Sequence, residues 1–193
     1  MAAAAQGGAV RVDAHQHFWQ YDERQYPWIQ ESWPIRKSFL PADLKPLLDR
    51  ENFHFCVAVQ ARQTFEETIW LLDLARENPF IAGVVGWINL LADSVKDVPY
   101  QLDLIERDKL VGVRHVVQDE PNDEFMLRPD FLCGIASLKE YDLAYDILIF
   151  PKQLPAAIQL ALEKGGVRAA SREPSRSRSA SAFVALGSEK TTP

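Results

Sequence analysis

Two histidines follow a short β-branched segment near the start of the chain, in Val10-Arg-Val-Asp-Ala-His15-Gln-His17. In a β-strand, residues i and i+2 point to the same face, so both imidazoles can converge at the end of one strand. Imidazole nitrogens bind divalent metal ions and can polarise a carbonyl group. Two surface histidines in a loop give the same spacing, so the spacing alone leaves both interpretations open.

Three further polar side chains interrupt later apolar segments. Arg114 and His115 are neighbours in Gly-Val-Arg-His-Val-Val, so only one of them can point toward the His15 and His17 site. His115 is therefore a candidate catalytic residue or a hydrogen-bonded histidine of the core. Asp146 lies inside Leu-Ala-Tyr-Asp-Ile-Leu-Ile-Phe. An ionised carboxylate in such a segment requires a cation or hydrogen-bond donors, and this makes Asp146 a catalytic candidate.

Two regions supply candidate substrate-binding groups. Gln60 and Arg62 close the second apolar segment and can donate hydrogen bonds to a ligand, and Arg114 is a third donor. Residues 19–33 contain three tryptophans, among them Trp28, and two tyrosines. These rings either form an aromatic wall for a sugar-like ligand or pack a long loop against the domain, and we favour the packing interpretation.

The elements that must position these residues alternate between strand and helix. Near-continuous apolar segments of this kind are typical of parallel strands that are buried on both faces. The pattern predicts five β/α units of a (β/α)8 barrel, whereas a full barrel needs eight units and about 250 residues. The predicted strands are 10–14, 53–60, 81–88, 110–117 and 143–150, and the predicted helices are 41–50, one capped by Thr64 and Glu67, 98–107, 129–140 and 151–164.

The predicted barrel domain covers residues 10–166. Residues 1–9 are expected to be a flexible N-terminus. Residues 167–193 are rich in Ser and Arg and have no amphipathic period, so they are predicted to be a disordered tail.

Composition narrows the class of protein. The 193 residues carry a net charge of −6, which argues against nucleic acid as a partner. The sequence has no apolar segment of about 18 residues and no secretory signal pattern, so we expect a cytoplasmic protein that does not enter membranes. The cysteines, Cys56 and Cys133, are predicted to be buried free thiols.

Several separate segments resemble one known family. Residues 12–19 (VDAHQHFW), 26–29 (YPWI), 111–121 (VGVRHVVQDEP), 127–138 (LRPDFLCGIASL) and 143–161 are similar to the amidohydrolase-related family, and most closely to its sugar-lactonase branch. The resemblance covers residues 10–162. It implies a (β/α)8 barrel whose active site includes His15 and His17 and which hydrolyses a sugar-acid lactone by attack of an activated water.

The resemblance leaves the cofactor open. His15 and His17 would bind zinc or manganese in one version of the site, with Asp119 or Glu120 as further contributors. In a metal-free version, the histidines and Arg114 would polarise the ring carbonyl directly.

In that family later strands supply further histidines and, on the last strand, an aspartate that acts as general base. These are missing from this sequence, so we expect a truncated or alternatively spliced form whose open barrel edges favour self-association. The alternatives to a lactonase are a catalytically inactive binding or regulatory form and a decarboxylase on the same scaffold.

Overall fold

The protein folds as half of a (β/α) barrel. The computed structural model describes residues 9–91, 97–164, 167–171 and 182–186. Five parallel strands pair in the order in which they occur in the chain, and a helix follows each one. This confirms the predicted partial barrel. The units are β1 (Val12–Gln16), α1 (Pro41–Arg50), β2 (Phe55–Val59), α2 (Phe65–Glu77), β3 (Ile81–Gly86), α3 (Asp97–Asp103), β4 (Leu110–His115), α4 (Pro129–Leu138), β5 (Ala144–Ile147) and α5 (Leu154–Lys164).

The strand boundaries differ from the predicted ones mainly at the carboxyl ends. β5 ends at Ile147, although the apolar segment continues to Phe150, because these last apolar side chains lie in the turn that leads to α5. β1 begins two residues later than predicted, since Val10 is exposed, and it runs through Gln16. His15 therefore lies within the strand, and His17 follows it directly.

Glu67 corrects one prediction about how α2 begins. The Thr64 side chain accepts a hydrogen bond from the Glu67 backbone at 3.2 Å, as expected for an N-cap. The Glu67 carboxylate does not return to the Thr64 backbone to complete a capping box. It accepts hydrogen bonds from the backbone N–H groups of Ala61 and Arg62 instead. The side chain thereby links the start of α2 to the end of β2.

The core lies between the sheet and its layer of helices. Apolar side chains of the strands pack against α2, α4 and α5, and the fully buried members include Leu71, Phe131 and Tyr145. α4 approaches the segment after β3 so closely that Gly134 lies against the backbone of Leu90. A side chain at position 134 would have no room there.

The remaining predictions have mixed outcomes. Cys56 is buried, but Cys133 lies on the exposed side of α4, and both are free thiols.

Within the region predicted to be a disordered tail, Val167–Ser171 (β6) and Ala182–Leu186 (β7) form an antiparallel pair next to β5. The other tail residues, and residues 1–8 of the predicted flexible N-terminus, lie outside the described part. None of the described helices is long and apolar enough to cross a membrane.

Candidate functional site

A cavity of about 810 Å³ opens at the carboxyl ends of the parallel strands. Its walls come from the end of β1, from the segments that follow β2, β4 and β5, and from the loop between β1 and α1. His15 and His17 lie in this cavity together with Arg62, Arg114 and Trp28. With Asp119, which also lines the cavity, the structure therefore brings together six of the ten candidate residues named from the sequence. It is also the end of the sheet at which α/β barrels place their active sites.

The two histidines converge as their spacing requires. The Nε2 atoms of His15 and His17 lie 3.1 Å apart, and the two rings meet edge to face. A second groove, of about 670 Å³, lies beside β1, and both histidines line it as well. The pair thus separates the cavity from this groove.

The hydrogen bonds of His17 define the proton positions of the pair. Its Nδ1 lies 2.8 Å from the Val59 carbonyl oxygen, which can only accept, so Nδ1 carries the proton. Burial and the charge of Arg114 lower the pKa of His17 to about 4, so the ring is neutral at pH 7. Its Nε2 is then an acceptor with a lone pair, and the Nε2 of His15 is the donor in their contact.

The donor set fits part of a metal site. Zinc binds histidine nitrogens at about 2.0–2.1 Å, so two Nε2 atoms 3.1 Å apart can bind one ion. A histidine that donates its Nδ1 proton to a backbone carbonyl, as His17 does, is in the tautomer that ligates through Nε2. Within the described residues, no group of three His, Cys, Asp or Glu side chains comes together. This part of the chain therefore offers two ligands, fewer than the three that catalytic zinc usually has.

Arg114 reaches the cavity because it is supported from another strand. It donates from Nη2 to the backbone oxygen of Gln60, and the Gln60 amide donates to the Arg114 carbonyl at 3.2 Å. These bonds pass over the end of β3, which separates β2 from β4 in the sheet. Gln60 is completely buried and does not line the cavity, so it supports Arg114 from behind.

His115 occupies the opposite face of β4. Its ring stacks on Phe125 with the centroids 5.0 Å apart, and it contacts Phe131 of α4. Its Nε2 lies 2.7 Å from the Glu120 carboxylate. Burial lowers the pKa of His115, and Glu120 opposes that shift. The structure thus places His115 and Glu120 in the layer between sheet and helices, away from His15 and His17, whereas Asp119 lines the cavity.

Asp146 also lies outside the cavity lining. It is the register partner of Arg114 across β4 and β5. Burial raises the pKa of Asp146 to about 6, and the charge of Arg114 works against that increase. A buried carboxylate needs a cation beside it, and for Asp146 this cation is Arg114 of the neighbouring strand.

Arg62 is fixed by the buried carboxylate of Glu67, a residue whose spacing from Thr64 predicted only a helix cap. Its Nε lies 3.6 Å from the fully buried Glu67, and its guanidinium stacks over the Tyr26 ring at 5.2 Å. Tyr26 donates its hydroxyl to Glu67 at 3.4 Å, and Arg62 donates from Nη1 to Gln25 at 2.7 Å. Glu67 thus connects the loop after β1 to the loop after β2.

The aromatic loop contains both buried and exposed rings. Trp19 and Tyr26 are buried and pack with Ile29, which agrees with the packing interpretation. Trp28 and Trp33 are 45% and 40% exposed and line the cavity. The exposed rings are available for a ligand, and the buried rings shape the loop that presents them.

Sequence reasoning did not identify three other polar residues of the cavity. Arg24, Gln25 and Gln118 line it from loops. No local sequence pattern identifies Gln25, because its contact with Arg62 is a hydrogen bond between residues far apart in the chain. Glu67 was detectable in principle, because a Glu that follows a strand end and an N-cap can turn back toward the strand.

Comparison with known proteins supports this description. No model of a known protein family matches the chain. It is 40% identical over 150 residues to the L-fucono-1,5-lactonase of Burkholderia multivorans, which covers 77% of this chain and 50% of that protein. It is 39% identical over 153 residues to the L-fucono-1,5-lactonase of Burkholderia ambifaria, which covers 78% and 52% of the two proteins. The chain spans about half the length of these curated relatives.

Solved structures agree with the sequence matches. An amidohydrolase from Burkholderia multivorans with bound zinc is 38% identical, with a TM-score of 0.76 over 80% of this chain and 54% of that one. A probable 2-pyrone-4,6-dicarboxylic acid hydrolase from Acinetobacter baumannii, at 16% identity and a TM-score of 0.59, shares the fold over 79% of this chain and 54% of its own. Over about half of their length, the chain is thus similar to two L-fucono-1,5-lactonases and to an amidohydrolase, which confirms the resemblance to the amidohydrolase-related family and its sugar-lactonase branch.

Proposed function

We propose that this protein contributes the His15 and His17 side of an active site that opens the ring ester of a sugar-acid lactone with water. The observation that carries the proposal is the convergence of the two Nε2 atoms, 3.1 Å apart, in a cavity at the strand ends. The similarity to two L-fucono-1,5-lactonases supports a lactone as the substrate.

The described residues can bind and polarise such a substrate. In the version of the site without metal, His15 carries a proton on Nε2 that it can donate to the ring carbonyl oxygen, and Arg114 adds a buried positive charge nearby. The faces of Trp28 and Trp33 suit the apolar side of a sugar ring. Asp119 is a carboxylate in the cavity lining, and we assign to it the orientation of the attacking water.

A bound zinc or manganese ion is one version of the proposed site, and a site without metal is the other. When bound, such an ion polarises the carbonyl and lowers the pKa of its water to about 7. His17 would bind it through Nε2, because the Val59 carbonyl fixes its proton on Nδ1. His15 would bind it through Nε2 only in the tautomer that carries its proton on Nδ1. We keep the cytoplasm, expected from the sequence, as the location of this reaction.

Acid release tests the proposal. The purified chain is incubated with L-fucono-, L-rhamnono- and D-galactono-lactones, with and without zinc or manganese, and the acid released is titrated. We expect a rate above background that the double variant His15→Ala, His17→Ala abolishes. His54→Ala is the matched control, because His54 lies at the other end of β2, where it accepts a bond from the Arg11 backbone. A chain that binds the lactones but never hydrolyses them would favour the inactive binding form, and release of CO2 from a carboxylated substrate would favour the decarboxylase.

The open edge of β1 supports self-association as a second part of the proposal. β1 pairs with β2, and among the described strands it has no neighbour on its other side. Leu47 is 48% exposed in the groove beside β1. An exposed parallel edge beside an apolar groove favours pairing with a second copy. Light scattering after gel filtration should show a dimer that Leu47→Lys weakens, whereas a monomer at every concentration would contradict it.

A further inference from the structure

The cavity presents an excess of positive groups to a ligand. Arg24, Arg62 and Arg114 line it, whereas Asp119 is the one carboxylate in the lining that the structure describes. The anionic partners of the two inner arginines do not line the cavity. Glu67 is completely buried beneath Arg62, and Asp146 faces Arg114 across the strand register. A ligand in the cavity therefore meets guanidinium groups first.

The two inner arginines can offer only their terminal nitrogens to a ligand. In the described part of the chain, the Nε atoms of Arg62 and Arg114 are buried without a hydrogen-bond partner, and that of Arg62 faces the Glu67 carboxylate at 3.6 Å. Each guanidinium also has two terminal nitrogens with two N–H groups each, and these are the donors that remain for the oxygen atoms of a ligand.

The two guanidinium groups are fixed in place before a ligand arrives. Arg114 bonds to Gln60, which is itself buried, and Arg62 is fixed by Glu67, Gln25 and the ring of Tyr26. A pre-positioned guanidinium loses little conformational entropy on binding, and its planar fork matches a carboxylate. The site is thus suited to a planar anion rather than to a neutral group.

We propose that Arg62 and Arg114 form a carboxylate-binding subsite, so that the cavity binds the open hydroxy acid more tightly than a neutral sugar of the same size. The identity of the acid rests on the proposed function. When a lactone opens, the water oxygen bonds to the carbonyl carbon and the bond from that carbon to the ring oxygen breaks. The ring oxygen takes one water proton and becomes a hydroxyl, and at neutral pH the new acid loses the other to solvent. The product therefore carries the charge that the substrate lacks.

A matched pair of ligands tests this subsite. L-Fuconate and L-fucitol share one carbon skeleton and differ in a carboxylate against a hydroxymethyl group. Isothermal titration calorimetry on the full chain, stripped of metal by dialysis so that no ion attracts the acid, should show L-fuconate binding at least about tenfold more tightly. Higher salt should reduce this preference.

Variants test whether Arg62 causes the preference for L-fuconate. Arg62→Gln should reduce the preference for L-fuconate by about tenfold, and Arg62→Lys should retain part of it. Arg128→Gln is the control, because Arg128 is an exposed arginine that pairs with Asp130 outside the cavity lining. Circular dichroism checks that each variant folds, and the comparison of the two ligands on the unmodified chain needs no variant.

Equal affinity for the two ligands, no binding of L-fuconate, or a preference that persists in a folded Arg62→Gln variant would each overturn the proposal. The result of this binding test is independent of the result of the hydrolysis test of the proposed function. A chain that prefers the acid but hydrolyses no lactone supports the subsite alone, and a chain that hydrolyses lactones without this preference supports the hydrolase alone.

Discussion

Arg114 lies opposite Asp146 in the register of β4 and β5, and its charge acts on this carboxylate and on the imidazole of His17. The pKa values of these two groups are shifted in opposite directions. The pKa of His17 is lowered from 6.5 to about 4, by burial and by Arg114. The pKa of Asp146 is raised from 3.8 to about 6, by burial that Arg114 only partly offsets. In both cases the folded protein disfavours the charged form.

These shifts predict opposing effects of pH on stability. The contribution of His17 is present above pH 6.5 and is lost as the pH falls through about 4. The contribution of Asp146 is present below pH 3.8 and is lost as the pH rises through about 6. Relative to wild type, His17→Gln should therefore become less stable as the pH rises from 4 to 6.5. Asp146→Asn should become more stable over nearly the same range.

Urea unfolding of the metal-free protein at several pH values measures both effects. Each variant is compared with wild type at the same pH, so that contributions of other groups cancel. We expect changes on the order of 1–3 kcal/mol across the range. Two slopes of the same sign would contradict the opposed shifts.

Glu67 should matter more for stability than its neighbour in the same helical turn. Glu67→Gln removes the charge that faces Arg62 and weakens the acceptor for two backbone N–H groups. Because this carboxylate is completely buried, we expect a loss of about 2–4 kcal/mol in the free energy of unfolding. Urea denaturation measures it.

Glu66→Gln is the matched control for this prediction. Glu66 is exposed in the first turn of α2, so its change should stay within about 0.5 kcal/mol. Equal effects of the two substitutions would show that the buried network around Glu67 does not stabilise the protein.

The features of the candidate site that could be predicted from the sequence are those that depend on the local geometry of one strand. His15 and His17 converge because strand periodicity places i and i+2 on one face, and Arg114 and His115 separate for the same reason. Long-range contacts were not predictable in this way. Gln60 was expected to bind substrate, but it is buried because the sheet curves enough for β2 and β4 to meet over the end of β3. That curvature is a property of the assembled sheet.

The same distinction applies to the fold. Apolar segments predicted five strands and the helices between them, because buried parallel strands differ clearly from amphipathic helices. The boundaries were less accurate, since apolar side chains such as Ile149 continue into turns that still face the core. The disordered tail at residues 167–193 stays a prediction, although the structure describes the antiparallel pair β6 and β7 within it.

His115 should behave as a structural residue. His115→Gln removes the ring that stacks on Phe125 and alters the bond to Glu120, so we expect a loss of about 1–3 kcal/mol in stability. Binding of zinc, followed by calorimetry, should be unchanged, because His115 faces away from His15 and His17. A variant of normal stability that loses zinc binding would place His115 in the active site after all.

Gly134 should tolerate no side chain, although it lies inside a helix. Helix propensity alone predicts that Gly134→Ala stabilises α4 by about 1 kcal/mol. The added Cβ would overlap the carbonyl oxygen of Leu90 and lie 3.0 Å from its carbonyl carbon, and both are backbone atoms that cannot rotate away. We therefore expect a net loss of about 1–3 kcal/mol. Ala136→Gly, at an exposed position of the same helix, measures the propensity contribution separately. If Gly134→Ala were instead to raise the urea midpoint by as much as Ala136→Gly lowers it, the close approach of α4 to the segment after β3 would be wrong.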